Sequence, residues 1–400
     1  MSSSHQTRHL IFWLFLFGAF TEITKADAFD DLEIHGFATQ GFVKTSANSF
    51  FGDSENGSFE FTELGVNATI EPSPSVRLSG QLLYRRAGDI YSDDVSVDFA
   101  LADVTVSSTE ASRLSMLLGR VKNPFGFYNE TRDVSFARPS MFVPQVVYFD
   151  KLRNVILSSD GVGVEFEQYG ENVNTSIYVA AGRPQIDENI EYVYLGRDFS
   201  GEFKPDGLSA IARVLIEESD SNLRAALSFA TTSLDFERGD QDPIGDGNVS
   251  FEYWIASLQY MADEWTFTAE YMLEPIEWSG FSGSFYEGMR TEAEGYYLQA
   301  AWQAREDIEF LFRYEEGFAD RADRSGADIE RDTWRIVPSH TRYSKIWTMG
   351  VRWDVSSNTT LRAEYQKHNG TFILSNRDNR DLSDQDSGWD LFSLSASYRF

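Results

Sequence analysis

The sequence of 400 residues contains no cysteine and has little positive charge. Because no disulfide can form, the chain is not a small secreted domain of the kind that disulfides stabilise. The 34 lysines and arginines are outnumbered by 63 aspartates and glutamates, which gives a net charge of -29. Nucleic-acid binding needs a basic face, so this balance argues against a nucleic-acid partner.

Long apolar runs are also scarce. After residue 28 the sequence has no uncharged apolar stretch of about 18 residues, so we expect no transmembrane helix in the mature chain. An apolar run at 10–20 follows Arg8 and is too short to span a bilayer. Ala26-Asp27-Ala28 then matches the small-x-small pattern of a signal-peptide cleavage site. We therefore expect 1–28 to be a secretory signal peptide and 29–400 to be the mature domain.

Aromatic residues, in contrast, are abundant: they make up 15% of a chain whose mean hydropathy is -0.35. From Phe392 to Phe400, large apolar and small residues alternate with serines and Arg399. This period of two is typical of a β-strand with one apolar and one polar face. Such a strand suits a transmembrane barrel, in which the apolar face meets lipid and the polar face lines a lumen.

The same alternation recurs along the chain, for example in residues 64–70, 308–314 and 361–365. We count roughly 16 such segments, and bacterial single-chain barrels have an even number of strands. The sequence therefore predicts an all-β fold, a transmembrane antiparallel β-barrel of about 16 strands. The predicted strands span 32–45, 58–71, 76–88, 94–107, 112–121, 161–169, 172–182, 207–218, 222–234, 248–262, 265–276, 292–304, 307–318, 342–355, 358–370 and 389–400.

The connections between these strands alternate, with few exceptions, between short and long. Short ones include 72–75, 108–111 and 356–357, and long ones include 122–160 and 319–341. Outer-membrane barrels have short periplasmic turns and long extracellular loops, whereas a soluble β-sandwich has no reason to sort its loops in this way. The sequence therefore indicates a location in the outer membrane of a Gram-negative bacterium.

The longest connection, 122–160, is the third extracellular loop. It is rich in aromatic residues and prolines, which favours an ordered loop packed against the barrel wall. Between Gly119 and Arg153 there are six basic and three acidic residues, a local charge of +3 in a chain of -29.

The stretch Gly119-Arg-Val-Lys-Asn-Pro-Phe-Gly-Phe-Tyr-Asn-Glu-Thr-Arg-Asp133, followed by Arg138-Pro-Ser, resembles porin-like outer-membrane proteins of Gram-negative bacteria. It also resembles the phosphate-selective porins, although those carry mainly lysines around the pore and this loop carries mainly arginines. The resemblance implies that the third loop folds inward and narrows the lumen, and that the protein is a homotrimer. It implies these pore-constriction residues: Arg120, Lys122, Arg132, Arg138 and Arg153.

Charged residues of both signs fall on the inward-facing positions of the predicted strands. They either focus an electric field that filters ions, or pair across neighbouring strands and hold the wall rigid. The candidate lumen-wall residues are Arg77, Arg85, Arg213, Arg224, Arg313, Arg362, Glu270 and Glu364. At the C-terminus, Phe392, Tyr398 and Phe400 resemble the signal that the barrel-assembly machinery recognises.

Catalytic and metal-binding patterns are weak. His35 and His368 face inward in the predicted register, but no serine lies at a motif spacing from either of them. The acidic turn 240–247 lacks the calcium-loop pattern and its later bidentate glutamate. We therefore expect no enzyme activity, no metal and no cofactor.

The expected function is that of an outer-membrane porin through which small hydrophilic solutes or ions diffuse passively, with an anion preference at the constriction. The alternative is a structural or adhesive barrel with a closed lumen, because a loop that narrows a pore can also close it. Outer-membrane lipid and lipopolysaccharide are expected partners. The acidic loops could bridge divalent cations to lipid headgroups, or form a solvated surface.

The sequence makes a first testable prediction. If Arg132 and Arg138 line the constriction, replacing both with glutamate should shift ion selectivity towards cations, because the local charge changes sign. The reversal potential of the refolded protein in a planar bilayer under a salt gradient measures this shift. An unchanged reversal potential would remove both residues from the site.

Overall fold

The computed structural model describes residues 32–218 and 222–400. The predicted signal peptide, 1–28, lies outside the described residues. The strands are β1 (Glu33–Thr45), β2 (Ser58–Ser73), β3 (Val76–Ala87), β4 (Tyr91–Ser108), β5 (Ser112–Lys122), β6 (Ser158–Tyr169), β7 (Val173–Pro184), β8 (Glu202–Pro205), β9 (Ser209–Glu218), β10 (Leu223–Glu237), β11 (Gly247–Ala262), β12 (Trp265–Gly280), β13 (Arg290–Arg305), β14 (Ile308–Phe318), β15 (Tyr343–Ser356), β16 (Thr359–Asn369) and β17 (Gly388–Arg399).

These segments form one closed antiparallel barrel. Each long strand pairs with its neighbours in the chain, and β17 pairs with β1 to close the sheet. At this seam the amide of Gly36 donates to the carbonyl of Phe400 (3.2 Å) and the amide of Phe400 donates to the carbonyl of Gly36 (3.0 Å). Closure matters because a sheet edge exposed to lipid would leave backbone groups without partners.

The barrel wall consists of 16 strand positions, although 17 strand segments are distinguished. Both β8 and β9 pair with β10, so they are two parts of a single strand that is interrupted at residues 206–208. The predicted number of strands is therefore confirmed. The prediction assigned 202–205 to a long loop, because an alternating pattern of four residues is too short to recognise. The buried ring of Phe203, packed 5.2 Å from that of Phe236, holds this short segment in place.

The apolar and polar faces are arranged as in a membrane barrel. On β17 the side chains of Phe392, Leu394 and Phe400 are 42–50% exposed, whereas Ser393 and Ser397 are at most 2% exposed. A soluble protein buries its apolar residues, so this inverted pattern places lipid outside and a polar interior within. Stacked outward-facing rings, such as Trp265 with Trp302 (5.8 Å), mark the interfacial girdle.

The connections follow the predicted parity. Those at one end, such as 74–75, 263–264 and 357–358, have two residues, and those at the other end reach 35 residues in 123–157. Residues 88–90 form a short exception at the long-loop end. The third loop is thus slightly shorter than the predicted 122–160.

Helices are short and lie in the loops. They are α1 (Arg153–Leu157), α2 (Asn189–Tyr194) and α3 (Ala327–Asp332), with 3-10 turns at Ser135–Ala137, Asp150–Leu152, Arg321–Asp323, Ser339–Arg342 and Leu382–Asp384. Within residues 32–218 and 222–400, no helix is long and apolar enough to cross a membrane.

The outward face supports a test of the lipid belt. Leu298 lies at the middle of β13 and is 59% exposed. Replacing Leu298 with arginine should lower the free energy of unfolding from phospholipid vesicles by about 2–4 kcal/mol, because the charge would lie near the bilayer midplane. Chemical denaturation of the vesicle-inserted protein measures this, and Ser357→Arg, in an exposed turn, is the control. Equal stability of the two variants would contradict a lipid-facing position for Leu298.

Candidate functional site

The third loop, residues 123–157, crosses the lumen and contacts strands around the wall. Its backbone amides reach three strands: Gly126 donates to Ser228 Oγ on β10 (3.0 Å), Phe127 to Glu270 on β12 (2.9 Å), and Met141 to Glu364 on β16. These contacts span more than 100 residues of sequence. The loop therefore forms a partition between the two ends of the lumen.

Glu270 is the main polar anchor of this partition. Its carboxylate accepts hydrogen bonds from Tyr148 Oη (2.6 Å), Tyr297 Oη (2.7 Å), Ser257 Oγ (2.5 Å) and the amide of Phe127. The Tyr148 hydroxyl in turn accepts from the amides of the loop at 127 and 128 (2.8 and 3.2 Å). Four donors to one buried carboxylate hold the loop in a single position, since each buried polar group would be costly to leave unpaired.

Apolar packing reinforces the anchor. Phe142 of the loop makes an edge contact with Phe61 of β2 (5.4 Å) and packs against Phe50 and Phe51 of the first loop (5.4 and 5.5 Å). Val146, fully buried, belongs to the same cluster. The upper lumen thus contains a hydrophobic core, which the alternation of the strands does not predict.

At the level where the loop meets β2–β5, basic side chains converge in what we call the arginine cluster. Arg132, Arg138 and Arg153 come from the loop and Arg85 comes from β3, and each is 5% exposed or less. They surround a cavity of about 10 Å³. A cavity of this volume holds about one water molecule, so these side chains are closely packed and leave no wide path between them.

Carboxylates neutralise most of the cluster. Arg85 bridges Glu63 (2.9 Å) and Asp150 (2.9 Å), and Arg132 shares Asp150 (3.2 Å). Burial disfavours the charged form of Asp150, but the two guanidinium groups outweigh this effect and hold the pKa of its carboxyl below the usual value. The pairs are therefore ionised and rigid.

A second group of ion pairs lies beside the first. Lys122 Nζ contacts Asp98 (2.7 Å) and Asp133 (2.8 Å), and Arg153 also pairs with Asp133. Together the arginine cluster and this second group have five cations and four carboxylates, which leaves one net positive charge. The cations are Arg85, Lys122, Arg132, Arg138 and Arg153, and the carboxylates are Glu63, Asp98, Asp133 and Asp150.

Two of the buried donors have no acceptor. Nη1 of Arg85 and Nη1 of Arg132 make no hydrogen bond within the described residues. Both side chains line the small cavity. Glu63 also lines this cavity and its Oε2 has no donor, so the unpaired atoms favour a polar group next to them that can both accept and donate hydrogen bonds.

Arg120 was predicted to join the constriction, and the structure places it elsewhere. It pairs with Asp160 (2.7 Å) on the face of β5 and β6 that also presents the exposed Leu118 and Val162. That face is the outer one, so Arg120 lies outside the lumen. The resemblance to porins assigned Arg120 to the constriction together with the rest of the motif, whereas the alternation of β5 turns this side chain outwards.

The predicted lumen-wall residues all lie on inward positions of their strands. Several contact the loop: Arg213 pairs with Glu130 (2.7 Å), Arg362 donates to carbonyls of the loop, and Arg313 donates to Ser140 Oγ (3.1 Å) and to the carbonyl of Phe142 (3.3 Å). Arg224 lies over the ring of Phe127 (4.2 Å). The remaining wall residues are Arg77, which is exposed and pairs with Glu71 (2.8 Å), the cluster member Arg85, and the loop anchors Glu270 and Glu364.

The loop separates two spaces. Towards the short turns, the half-buried Glu165, Arg213 and Arg224 line a polar region. Towards the long loops lies a cavity of about 210 Å³, which we call the outer cavity. Its lining includes Phe149, Lys151, Trp278, Tyr286, Arg342 and Phe372.

Two residues of the site were not predicted from the sequence. Asp98 lies at a bulge in β4, where the pairing shifts between Gln81 and Leu82 of β3. The shift reverses the inward and outward parity, so a regular alternation misplaces this carboxylate. Tyr148 could have been noticed as a polar aromatic in a proline-flanked loop, but nothing in the sequence links it to Glu270.

The weak catalytic candidates have structural roles. His368 stacks on Trp389 (3.7 Å) in the wall. In the acidic turn, Asp242 accepts hydrogen bonds from the amides of Ser200, Gly201 and Gly239. Within the described residues, no group of three or more possible ligands is placed to hold a metal ion.

Solved structures of other proteins have a similar architecture. No protein-family model and no curated protein sequence matches the chain. Among solved structures, the outer-membrane channel DcaP of Acinetobacter baumannii is similar, with 12% identity, a TM-score of 0.61 and coverage of 94% of this chain and 99% of that one. An anion-selective porin from Comamonas acidovorans (12%, 0.53, 92% and 99%) and OmpF of Salmonella typhi (13%, 0.54, 92% and 97%) are also similar.

Because the sequence identities are only 12–13%, the similarity shows the fold and nothing further. The chain has the closed 16-strand barrel of the outer-membrane porins of Gram-negative bacteria. The third loop of this barrel lies inside the lumen.

The anchor of the loop can be tested directly. Tyr148→Phe removes the hydroxyl that serves the amides of residues 127 and 128, so about 1–3 kcal/mol of local stability should be lost. Hydrogen exchange of these two amides should accelerate about tenfold or more. Tyr314→Phe, which removes a hydroxyl bonded to Glu316 on the outer face, is the control. Equal exchange in both variants would show that Glu270 does not hold the loop through Tyr148.

Proposed function

We propose that the protein is an outer-membrane channel for passive diffusion of small hydrophilic solutes, with a preference for anions and with the third loop as its gate. The observation that carries the proposal is the arginine cluster, which lies where the loop divides the lumen into two spaces. The channel needs no cofactor and catalyses no reaction. Its work is to provide a polar path through lipid.

The electrostatics of the cluster support a modest anion preference. One net positive charge in a low-dielectric constriction raises the local concentration of anions, whereas the acidic loops outside act in water and are screened by salt. The free Nη1 groups of Arg85 and Arg132 provide donors for a passing anion. The anion selectivity named for the Comamonas acidovorans porin belongs to that protein, and here it is a proposal.

We infer that passage through the arginine cluster requires the loop to move, because the cavity there holds only about one water molecule. Many of the loop contacts are hydrogen bonds and ion pairs, which water can replace when a path opens. The expected channel therefore has a low conductance with closures.

A closed structural or adhesive barrel is the second candidate. The apolar packing of Phe142 against Phe50, Phe51 and Phe61 favours it, because such a cluster resists hydration. The two candidates differ in one observable property, the passage of ions.

The outer surface carries further proposals. Phe392, Tyr398 and Phe400 point outwards at the closing strand and are exposed, as an assembly signal would need. Lipid and lipopolysaccharide are the proposed surroundings of the outward belt. A homotrimer is proposed from the likeness to porins.

The contacts of Arg132 make neutral variants a better test of ion selectivity than the glutamate variants suggested by the sequence. A glutamate at position 132 would face Asp150 in a buried site, and an unpaired buried charge costs about 3–5 kcal/mol. The neutral pair Arg132→Gln and Arg138→Gln avoids this like-charge contact. We expect it to shift the reversal potential under a salt gradient towards cation preference, because two positive charges leave the constriction.

Planar-bilayer recording of the refolded protein provides the measurement. Arg290→Gln is the control, since Arg290 is exposed on the side of the long loops and pairs with Glu277 (2.6 Å). Wild-type current with an unchanged reversal potential in the double variant would exclude the arginine cluster as the filter. A silent wild type whose Tyr148→Phe variant conducts would support the gate. Silence of both would establish the closed barrel.

A further inference from the structure

We propose that the outer cavity binds a small organic monoanion with an aromatic body, such as an aromatic monocarboxylate, before it reaches the gate. This inference rests on the proposed channel function and names the class of solute. The juxtaposition that carries it is two cations without carboxylate partners in a pocket that is otherwise lined mainly by aromatic and aliphatic side chains.

The first cation is Lys151, next to the arginine cluster in sequence but turned towards the outer cavity. Its ammonium donates to the carbonyl of Phe372 (2.5 Å) and lies 4.8 and 5.3 Å from the ring centroids of Phe372 and Phe149. Among the described residues it forms no ion pair with a carboxylate. One carbonyl leaves two of the three ammonium protons available to a ligand.

The second cation is Arg342, at the end of the loop between β14 and β15. Its guanidinium forms no ion pair and no side-chain hydrogen bond within residues 32–218 and 222–400. Both cations line the same cavity, and the charge of Arg342 adds to the effect of burial in lowering the pKa of Lys151. Asp320 and Asp323 partly offset the charge of Arg342 from outside the lining, but neither forms an ion pair with it, so Lys151 and Arg342 both remain available to an anion in the cavity.

The wall of the cavity contains one carboxylate, Glu274, and it is already engaged. Its Oε1 accepts a hydrogen bond from Tyr194 Oη (3.1 Å). The lining itself therefore has two cations and one carboxylate, and Asp320 and Asp323 lie beyond it, so a monoanion suits the site better than a dianion.

The remaining lining selects the body of the ligand. Phe149, Trp278, Phe285, Tyr286 and Phe372 present rings to the cavity. A cavity of about 150 Å³ lined by apolar side chains holds a benzene ring, so about 210 Å³ accommodates one ring with a carboxylate. Inorganic phosphate or chloride would lose hydration against these rings without apolar contacts in return.

The protonation of Lys151 adds a measurable signature. Burial, together with the charge of Arg342, lowers the pKa of Lys151 to about 7, and Glu274 opposes the shift. Tyr192, Tyr194 and Tyr286 are the other titratable groups in the lining, and Asp320 and Asp323 act on Arg342 from outside it. A bound carboxylate would favour the charged lysine, so binding at pH 8 should take up a proton.

Isothermal titration calorimetry of the full-length refolded protein in detergent, with benzoate as the probe, tests the site. Titrations in two buffers of different ionisation enthalpy report proton uptake. Benzamide, the neutral analogue, should bind at least tenfold more weakly if the charge matters. Acetate should also bind more weakly if the ring matters. These comparisons use the wild-type protein and need no variant to fold.

The variants Lys151→Met and Arg342→Gln should each raise the Kd for benzoate about tenfold or more, and Lys151→Met should abolish the proton uptake. Arg335→Gln is the matched control, because Arg335 lies on the same loop with its side chain 83% exposed. The proposal is overturned if benzamide binds as tightly as benzoate, or if neither variant weakens binding relative to the control.

Calorimetry keeps this inference distinct from the channel function. A barrel that binds benzoate but passes no current would support the site and exclude diffusion through the lumen. A barrel that conducts but does not bind benzoate would retain the channel and overturn the site. Block of wild-type current by benzoate added from the long-loop side, absent in Lys151→Met, would support both.

Discussion

The pairing of every backbone polar group within lipid is the constraint on which the rest of this structure depends. A strand that crosses a bilayer needs partners on both edges, so the sheet must close, and here the hydrogen bonds between Gly36 and Phe400 complete the closure. Closure creates a lumen, and the alternation of each strand makes its lining polar. The partition, the two spaces beside it and their charges are possible only inside this cylinder.

Filling the lumen with the third loop removes charged side chains from water, which is energetically costly. The loop offsets this cost because it contains both members of some ion pairs: Asp133 and Asp150 lie on the same loop as the arginines that they neutralise. The wall contributes the remainder through Glu63 and Asp98. The buried arginines of the loop thus have carboxylate partners nearby, whereas in the outer cavity Lys151 and Arg342 form no ion pair with a carboxylate.

The strands and their number could be predicted from the sequence because lipid and lumen act on each residue separately and leave a period of two. The partners of the loop could not, because they depend on register across strands far apart in sequence. Arg120 shows one failure, since two residues after the outward-facing Leu118 it must also point outwards. Asp98 shows another, because a single extra residue in β4 reverses the parity. The short strand β8 was missed because four residues are too few to show a recognisable alternation of apolar and polar side chains.

The position of the third loop also has a consequence for the time course of folding. Its anchors are distant in sequence: Tyr148 and Glu270 are separated by 122 residues, and Met141 and Glu364 by 223. Contacts of such separation carry a large loop-closure entropy and form slowly. The loop follows β5, yet it cannot reach its native contacts until β10–β16 are in place. The interior of the barrel is therefore completed late, after most of the wall that surrounds it.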